Sequence, residues 1–159
     1  DEDINEDAGE ANIDPIIEMV GSLDGDFVER WVEENTSEEN EGIMPEGAVL
    51  HMMMAGCSES LPPGVGIALV YELELHALQT AKQLGYTHAY NVCTNLVTTQ
   101  MCSDLGFQQT AFVDYASYRS PSSGELVFAA AAEHEGACQM ELSLYTWRDP
   151  LWWKQRYNS

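Results

Sequence analysis

The residues with the clearest chemical use are the small ones in the turn Leu61-Pro62-Pro63-Gly64-Val65-Gly66-Ile67-Ala68. Gly64, Gly66 and Ala68 alternate just ahead of a long helical pattern. A helix N-terminus presents unpaired N–H groups and the positive end of the helix dipole, so phosphates bind there. Glycine also lets the backbone come close to a ligand. These residues therefore predict an anion site of the nucleotide type, with a plain tight turn as the alternative use. His51 sits in the apolar run Val49 to Ala55. Imidazole titrates near neutral pH, so His51 is read either as a base or as a core histidine hydrogen-bonded to a neighbour.

Metal chemistry is not expected. Cys57, Cys93, Cys102 and Cys138 lack CxxC spacing, which argues against zinc and against a dense disulfide framework. Glu133-His134-Glu135 are adjacent loop residues that cannot readily converge on one ion. Met52-Met53-Met54 read as soft core packing, and His76 and His88 as structural. Free thiols point to a reducing, cytoplasmic setting.

Asp14-Pro15 forms a helix start, followed by Ile16, Ile17, Val20 and Leu23 on one face. Phe27, Val28, Trp31 and Val32 form a second helix or continue the first past Gly25. Residues 33–47 read as a loop. Val49 to Ala55 is a short strand buried on both faces. From Gly66 to Leu84, Val70, Leu73, Ala77, Ala81 and Leu84 step by three or four, with Tyr71, Leu75 and Leu78 beside them, and Gly85 caps this helix. Thr87 to Val92 is a strand, Asn95 to Asp104 a short helix capped by Gly106, and Phe107 to Val113 a strand. Leu126 to Phe128 forms a short strand. Cys138, Met140, Leu142 and Leu144 alternate with Gln139, Glu141 and Ser143 in a last strand. The alternation of element types implies an α/β layered sheet.

The 159 residues suffice for one domain with a real core. Acids outnumber Lys and Arg by 27 to 6, for a net charge of −21. Residues 1–47 hold 17 acids and one base, Arg30, and so carry −16 of it. This charge excludes nucleic acid and anionic membranes as primary partners; its first reading is a surface kept soluble, and its second an attraction for cations, including amines and basic proteins. No apolar run is long enough to span a membrane. Residues 1–13 read as an acidic disordered segment, 14–145 as the domain, and 146–159 as an aromatic and basic tail.

The order strand, Gly-x-Gly-x-Ala turn, long helix, strand, Asn95, short helix, Leu105-Gly106-Phe107 resembles the GCN5-related N-acetyltransferase (GNAT) superfamily. The resemblance extends through Val113-Asp114-Tyr115 and Gln139 to Leu144, in the manner of bacterial-type members and, more distantly, arylalkylamine acetyltransferases. It implies a mixed, mainly antiparallel sheet with a splayed central strand pair flanked by helices. Residues 14–32 would lie between the family's third and fourth strands, and its earlier elements have no counterpart here. The chain is therefore expected to be incomplete at its N-terminus. Pro63 and Val65 stand where the family has Gln or Arg and a basic residue, so the turn keeps the glycines without the charges.

The resemblance also implies an activity and a site. Acetyl-CoA would be the co-substrate, and a small-molecule or protein amine would attack its thioester directly. Ala55, Gly56 and Cys57 would orient the pantetheine arm, the amides of Gly64, Val65, Gly66, Ile67 and Ala68 would hold the pyrophosphate, and Asn95 would contact the arm. His51 would serve as base. Cys102 stands where many members have a tyrosine acid, and Thr98 where related enzymes often have a serine near the substrate. Three further readings stay open: a catalytically degenerate binding or scaffold module, an acidic N-terminal docking arm, and a homodimer.

Overall fold

The computed structural model describes residues 14–35, 44–53, 58, 60–62, 64–128, 131 and 135–150. Helix α1 (Asp14–Asn35) precedes strand β1 (Val49–Met52), helix α2 (Val65–Gln83), strand β2 (His88–Cys93), helix α3 (Leu96–Leu105) and strands β3 (Gln108–Asp114) and β4 (Gly136–Ser143). The strands form one mixed sheet in the order β1-β2-β4-β3. Only β1 and β2 are parallel; β4 pairs antiparallel to β2 and to β3. Among the described residues no helix is long and apolar enough to cross a membrane.

The faces of the strands set the layers. Ala89 and Cys93 of β2, with Cys138, Met140 and Leu142 of β4, pack against Leu75, Leu78 and Ala81 of α2 and against Cys102 and Leu105 of α3. On the opposite face, Tyr90 packs with Phe27 and Trp31 of α1, and Ala137 packs with Met19 and Leu23. The result is α1 on one side of the sheet and α2 and α3 on the other, which suits strands that alternate their side chains between faces.

Local chemistry explains the helix ends. Asn95 caps α3 by accepting a hydrogen bond from the Thr98 amide at 3.0 Å. Both α2 and α3 stop at a left-handed glycine, Gly85 and Gly106. In each case the next two amides bond back to carbonyls of the last turn: Gly85 to Lys82, Tyr86 to Ala81, Gly106 to Ser103 and Phe107 to Cys102.

Several expectations need correction. Helix α1 continues through Gly25, one of the two alternatives read there, but it runs on to Asn35, into the segment read as loop. Its buried face is Met19, Leu23, Phe27 and Trp31, spaced by four, whereas Ile16, Ile17 and Val28 are exposed. On α2 the buried face is Glu74, Leu75, Leu78 and Ala81, and Leu73 and Leu84 are exposed. Strand β4 does not alternate between core and solvent. Gln139 is 2% exposed because α1 covers its face, and its side-chain amide donates to the Leu23 carbonyl at 2.7 Å. Arg30 of α1 likewise pairs with Glu141. The segment Leu126 to Phe128 contributes only an isolated bridge, Arg119 to Leu126. Of the expected strand from Val49 to Ala55, Val49–Met52 form β1, and residues 54 and 55 lie outside the described residues.

Candidate active site

The parallel ladder between β1 and β2 pairs Val49 with His88 and ends at Met52 opposite Asn91, although β2 itself continues to Cys93. Where the two strands stop pairing, a cavity of about 400 Å³ opens. Both sheet faces contribute walls: Leu50, Met52 and Asn91 from one, His51 and Val92 from the other. Leu73, Glu74 and Ala77 line it from α2, and Thr94, Asn95 and Thr98 from the start of α3. No Lys or Arg lines it among the described residues.

His51 is held on the α1 side. Its ring stacks on Tyr90 with centroids 4.1 Å apart, and Tyr90 stacks in turn on Phe27 at 3.9 Å. The Tyr90 hydroxyl lies 2.9 Å from His51 Nδ1 and donates to Asp24 Oδ1 at 3.2 Å. A phenol has one proton, and a carboxylate can only accept. With that proton directed to Asp24, Nδ1–H of His51 donates to the Tyr90 oxygen. Nε2 is then the basic nitrogen, 3.6 Å from Asp24. Burial holds the His51 pKa below its usual value, and the Asp24 charge opposes this in part. His51 is therefore neutral at pH 7, with an anion placed to stabilise its protonated form.

Glu74 is the group that sequence reasoning missed. Its side chain is 7% exposed, it lines the cavity, and its Oε2 has no hydrogen-bond partner. Burial raises its pKa from 4.5 to about 7. A signal existed in the sequence: Glu74 lies four residues before Leu78 and seven before Ala81, in the middle of the inward stripe of α2. Asn91 is the other buried polar group of the wall, and its amide faces Cys102 Sγ at 3.6 Å.

The expected site residues are only partly brought together. His51, Thr98 and Asn95 share the cavity. The Thr98 hydroxyl donates to the Asn95 carbonyl at 3.1 Å, so both belong to the cap of α3. Cys102 is absent from the cavity wall. It is 0% exposed and packed against Cys93, with the sulfurs 3.4 Å apart. The contact with Cys93 and burial both push its pKa up. Gly64 starts α2 with φ +85° and no side-chain cap, followed by Val65, Gly66, Ile67 and Ala68 in the first turn. Gly66 is buried, while Val65 and Ile67 are exposed. Ala55, Gly56, Cys57, Pro63, His134 and the Trp152-Trp153 pair lie outside the described residues.

No family model matches the sequence, and no curated protein does. Solved structures do match. The C-terminal condensation domain of Ebony, in complex with beta-alanyl-dopamine, aligns with TM-score 0.66 and 18% identity over 84% of this chain and 58% of that one. Arylalkylamine N-acetyltransferase 2 from Aedes aegypti aligns with TM-score 0.52 and 18% identity, over 60% and 43%. A mutant agmatine N-acetyltransferase aligns with TM-score 0.50 and 23% identity, over 60% and 44%. The chain thus spans 58% of the first structure and less than half of the other two. These similarities establish the fold: the described residues form a GNAT-type mixed sheet flanked by helices.

Proposed function

We propose that the chain carries an N-acyltransferase site, which moves an acyl group from a coenzyme A thioester, acetyl-CoA in the simplest case, to an amine. The observation that carries this reading is the cavity at the point where the parallel β1–β2 ladder ends, with His51 on its wall. The neighbouring folds named as N-acetyltransferases support it, as does the amide of an arylalkylamine bound in the condensation-domain structure.

The residues present fit the thioester arm of such a co-substrate. The cavity has an apolar side made by Leu50, Met52, Leu73 and Ala77, with Thr94 and Asn95 supplying polar groups. The first turn of α2, after Gly64, has no side-chain cap, and a diphosphate there would be held by backbone amides other than those of Val65 and Ala68, which already donate to the Pro62 and Gly64 carbonyls. Bound there, the thioester supplies an acyl carbon activated for amide formation. His51 takes the proton that the amine loses, at Nε2, either directly or through one water. Asp24 stabilises the imidazolium, and Tyr90 holds the ring in the required tautomer. Cys102 has no access to the cavity, so no role is assigned to it.

A second reading, a GNAT-fold binding module without catalysis, is favoured by the lack of a basic residue at the described turn positions. One experiment separates the two. The chain is incubated with acetyl-CoA and a panel containing 2-phenylethylamine, dopamine and agmatine, with thiol release followed by absorbance and N-acyl product by mass spectrometry. Amide product supports the enzyme. Coenzyme binding without product supports the module, and absence of coenzyme binding at high micromolar concentration defeats the acetyl-CoA reading.

A further inference from the structure

Glu74 sits in the cavity under conditions that a carboxylate does not tolerate without a partner. Its side chain is more than nine-tenths buried, and Oε2 makes no hydrogen bond. Taking a carboxylate out of water costs several kcal/mol unless a cation or donors compensate. Among the described residues, the groups around it offer no cation. His51 of β1 lines the same cavity from the other sheet face and is kept neutral by burial. Cys93 of β2 and Cys102 of α3 are the titratable groups that feel the Glu74 charge, and both are thiols. From α2 itself no charged side chain contributes; the Glu74 shift has burial as its single cause. The rest of the wall is uncharged: apolar side chains such as Leu50, Met52 and Leu73, and the neutral polar groups of Asn91, Thr94, Asn95 and Thr98.

We infer that this cavity binds a ligand through a primary ammonium group and that Glu74 is the anion that holds it. A cation entering this cavity meets one buried carboxylate and, among the described residues, no competing positive charge, whereas an anion is repelled by that carboxylate. The ion pair forms out of water, where it is worth more than at the surface. Glu74 is thus a specificity-determining residue, retained at a cost to stability. The inference rests on the acyl-transfer reading only for what the ammonium belongs to: the acceptor amine itself, or an amino group carried on the acyl chain.

The test is a calorimetric titration of the chain at pH 8 without any acyl donor, using 2-phenylethylamine for an acceptor amine and β-alaninamide for an aminoacyl group. The neutral counterparts are 2-phenylethanol and propanamide. Glu74→Gln keeps the size of the side chain and removes the charge. At least one of the two amines is expected to bind at least about ten-fold more tightly than its neutral counterpart, with that preference lost in E74Q. Which amine shows the effect identifies the source of the ammonium. E74Q is expected to melt at or above the wild-type temperature at pH 8, since a buried charge has gone. A merely structural Glu74 predicts the opposite: a lower melting temperature and equal weakening of amine and neutral ligand, which overturns the inference. Equal amine affinity for wild type and E74Q overturns it too, as does absence of amine binding to the folded wild-type chain. Failure of the acyl-transfer reading is a separate result, namely Glu74-dependent amine binding with no amide product from any donor.

Discussion

Directly across the β1–β2 ladder, His51 Nδ1 lies 2.9 Å from the hydroxyl of Tyr90, and the two rings stack. Tyr90 also reaches Asp24 of α1. Two residues from two other elements, Tyr90 of β2 and Asp24 of α1, therefore fix the His51 imidazole at the edge of the cavity, in the tautomer that leaves Nε2 basic.

If His51 is the base, H51Q lowers the rate of acyl transfer by about 10²-fold or more. Only neutral imidazole accepts a proton, and burial depresses the His51 pKa. The wild-type rate should then fall on the acid side through a midpoint below the ordinary histidine value of about 6.5. Y90F removes the Nδ1 partner and should cost a smaller factor, roughly ten-fold, while moving that midpoint. A pH–rate profile of the three proteins checks this; an acid limb unchanged in Y90F removes Tyr90 from the arrangement.

Glu74 makes stability depend on pH with a definite sign. Its folded pKa, about 7, lies above the starting value of 4.5, so between these values the folded state binds more protons than the unfolded one. Its contribution is therefore fully present below about pH 4.5 and is lost as pH rises towards 7. E74Q escapes that loss. Relative to wild type it should gain with rising pH, by up to about 2–3 kcal/mol above pH 7, and gain nothing at pH 4. Urea melts at pH 4, 6 and 8 give the answer, and a pH-independent difference contradicts it.

Cys102 is expected to be dispensable for chemistry. It is fully buried behind the cavity wall, and Cys93 and Cys138 are buried as well. C102A should keep near-wild-type turnover per folded molecule and lose roughly 1 kcal/mol of stability from the small void. Mass mapping after brief exposure to an aqueous thiol reagent should leave these three cysteines unlabelled until denaturant is added. Fast labelling of Cys102 in the native chain would restore it as a candidate leaving-group acid.

Gly136 opens β4 where β3 comes close. A Cβ there would stand 2.1 Å from the Val113 carbonyl oxygen and 2.6 Å from the Phe112 ring. The first contact is with backbone, which cannot swing away. G136A should destabilise the fold by roughly 1–3 kcal/mol, measured by denaturant titration, with an effect confined to the β3–β4 pair in hydrogen exchange. A neutral substitution would mean that this edge of the sheet is looser than its pairing of Asp114 with Gly136 indicates.

Much of the fold was legible because its signals are local. Asn95 caps α3 through an amide three residues on, and Gly85 and Gly106 end their helices through bonds to the preceding turn. The order of strands and helices, with the turn at Gly64 and the ending Leu105-Gly106-Phe107, was enough to predict the GNAT-type sheet. What the sequence did not reveal depends on which surface covers which. Gln139 has a polar side chain on an alternating strand, yet α1 buries it. Glu74 shares the helical stripe of Leu78 and Ala81, but only the packing of α2 on the sheet decides that this stripe, rather than that of Leu73 and Leu84, is the buried one. Asp24 stands 66 residues before Tyr90, and His51 stands 39 before it; nothing in their spacing joins them. Helix caps and turns are decided within a few residues of chain, so the sequence by itself determined them. Burial, pairing and the pKa shifts that follow are decided by distant elements closing over a site, so only the tertiary structure set the chemistry of the cavity.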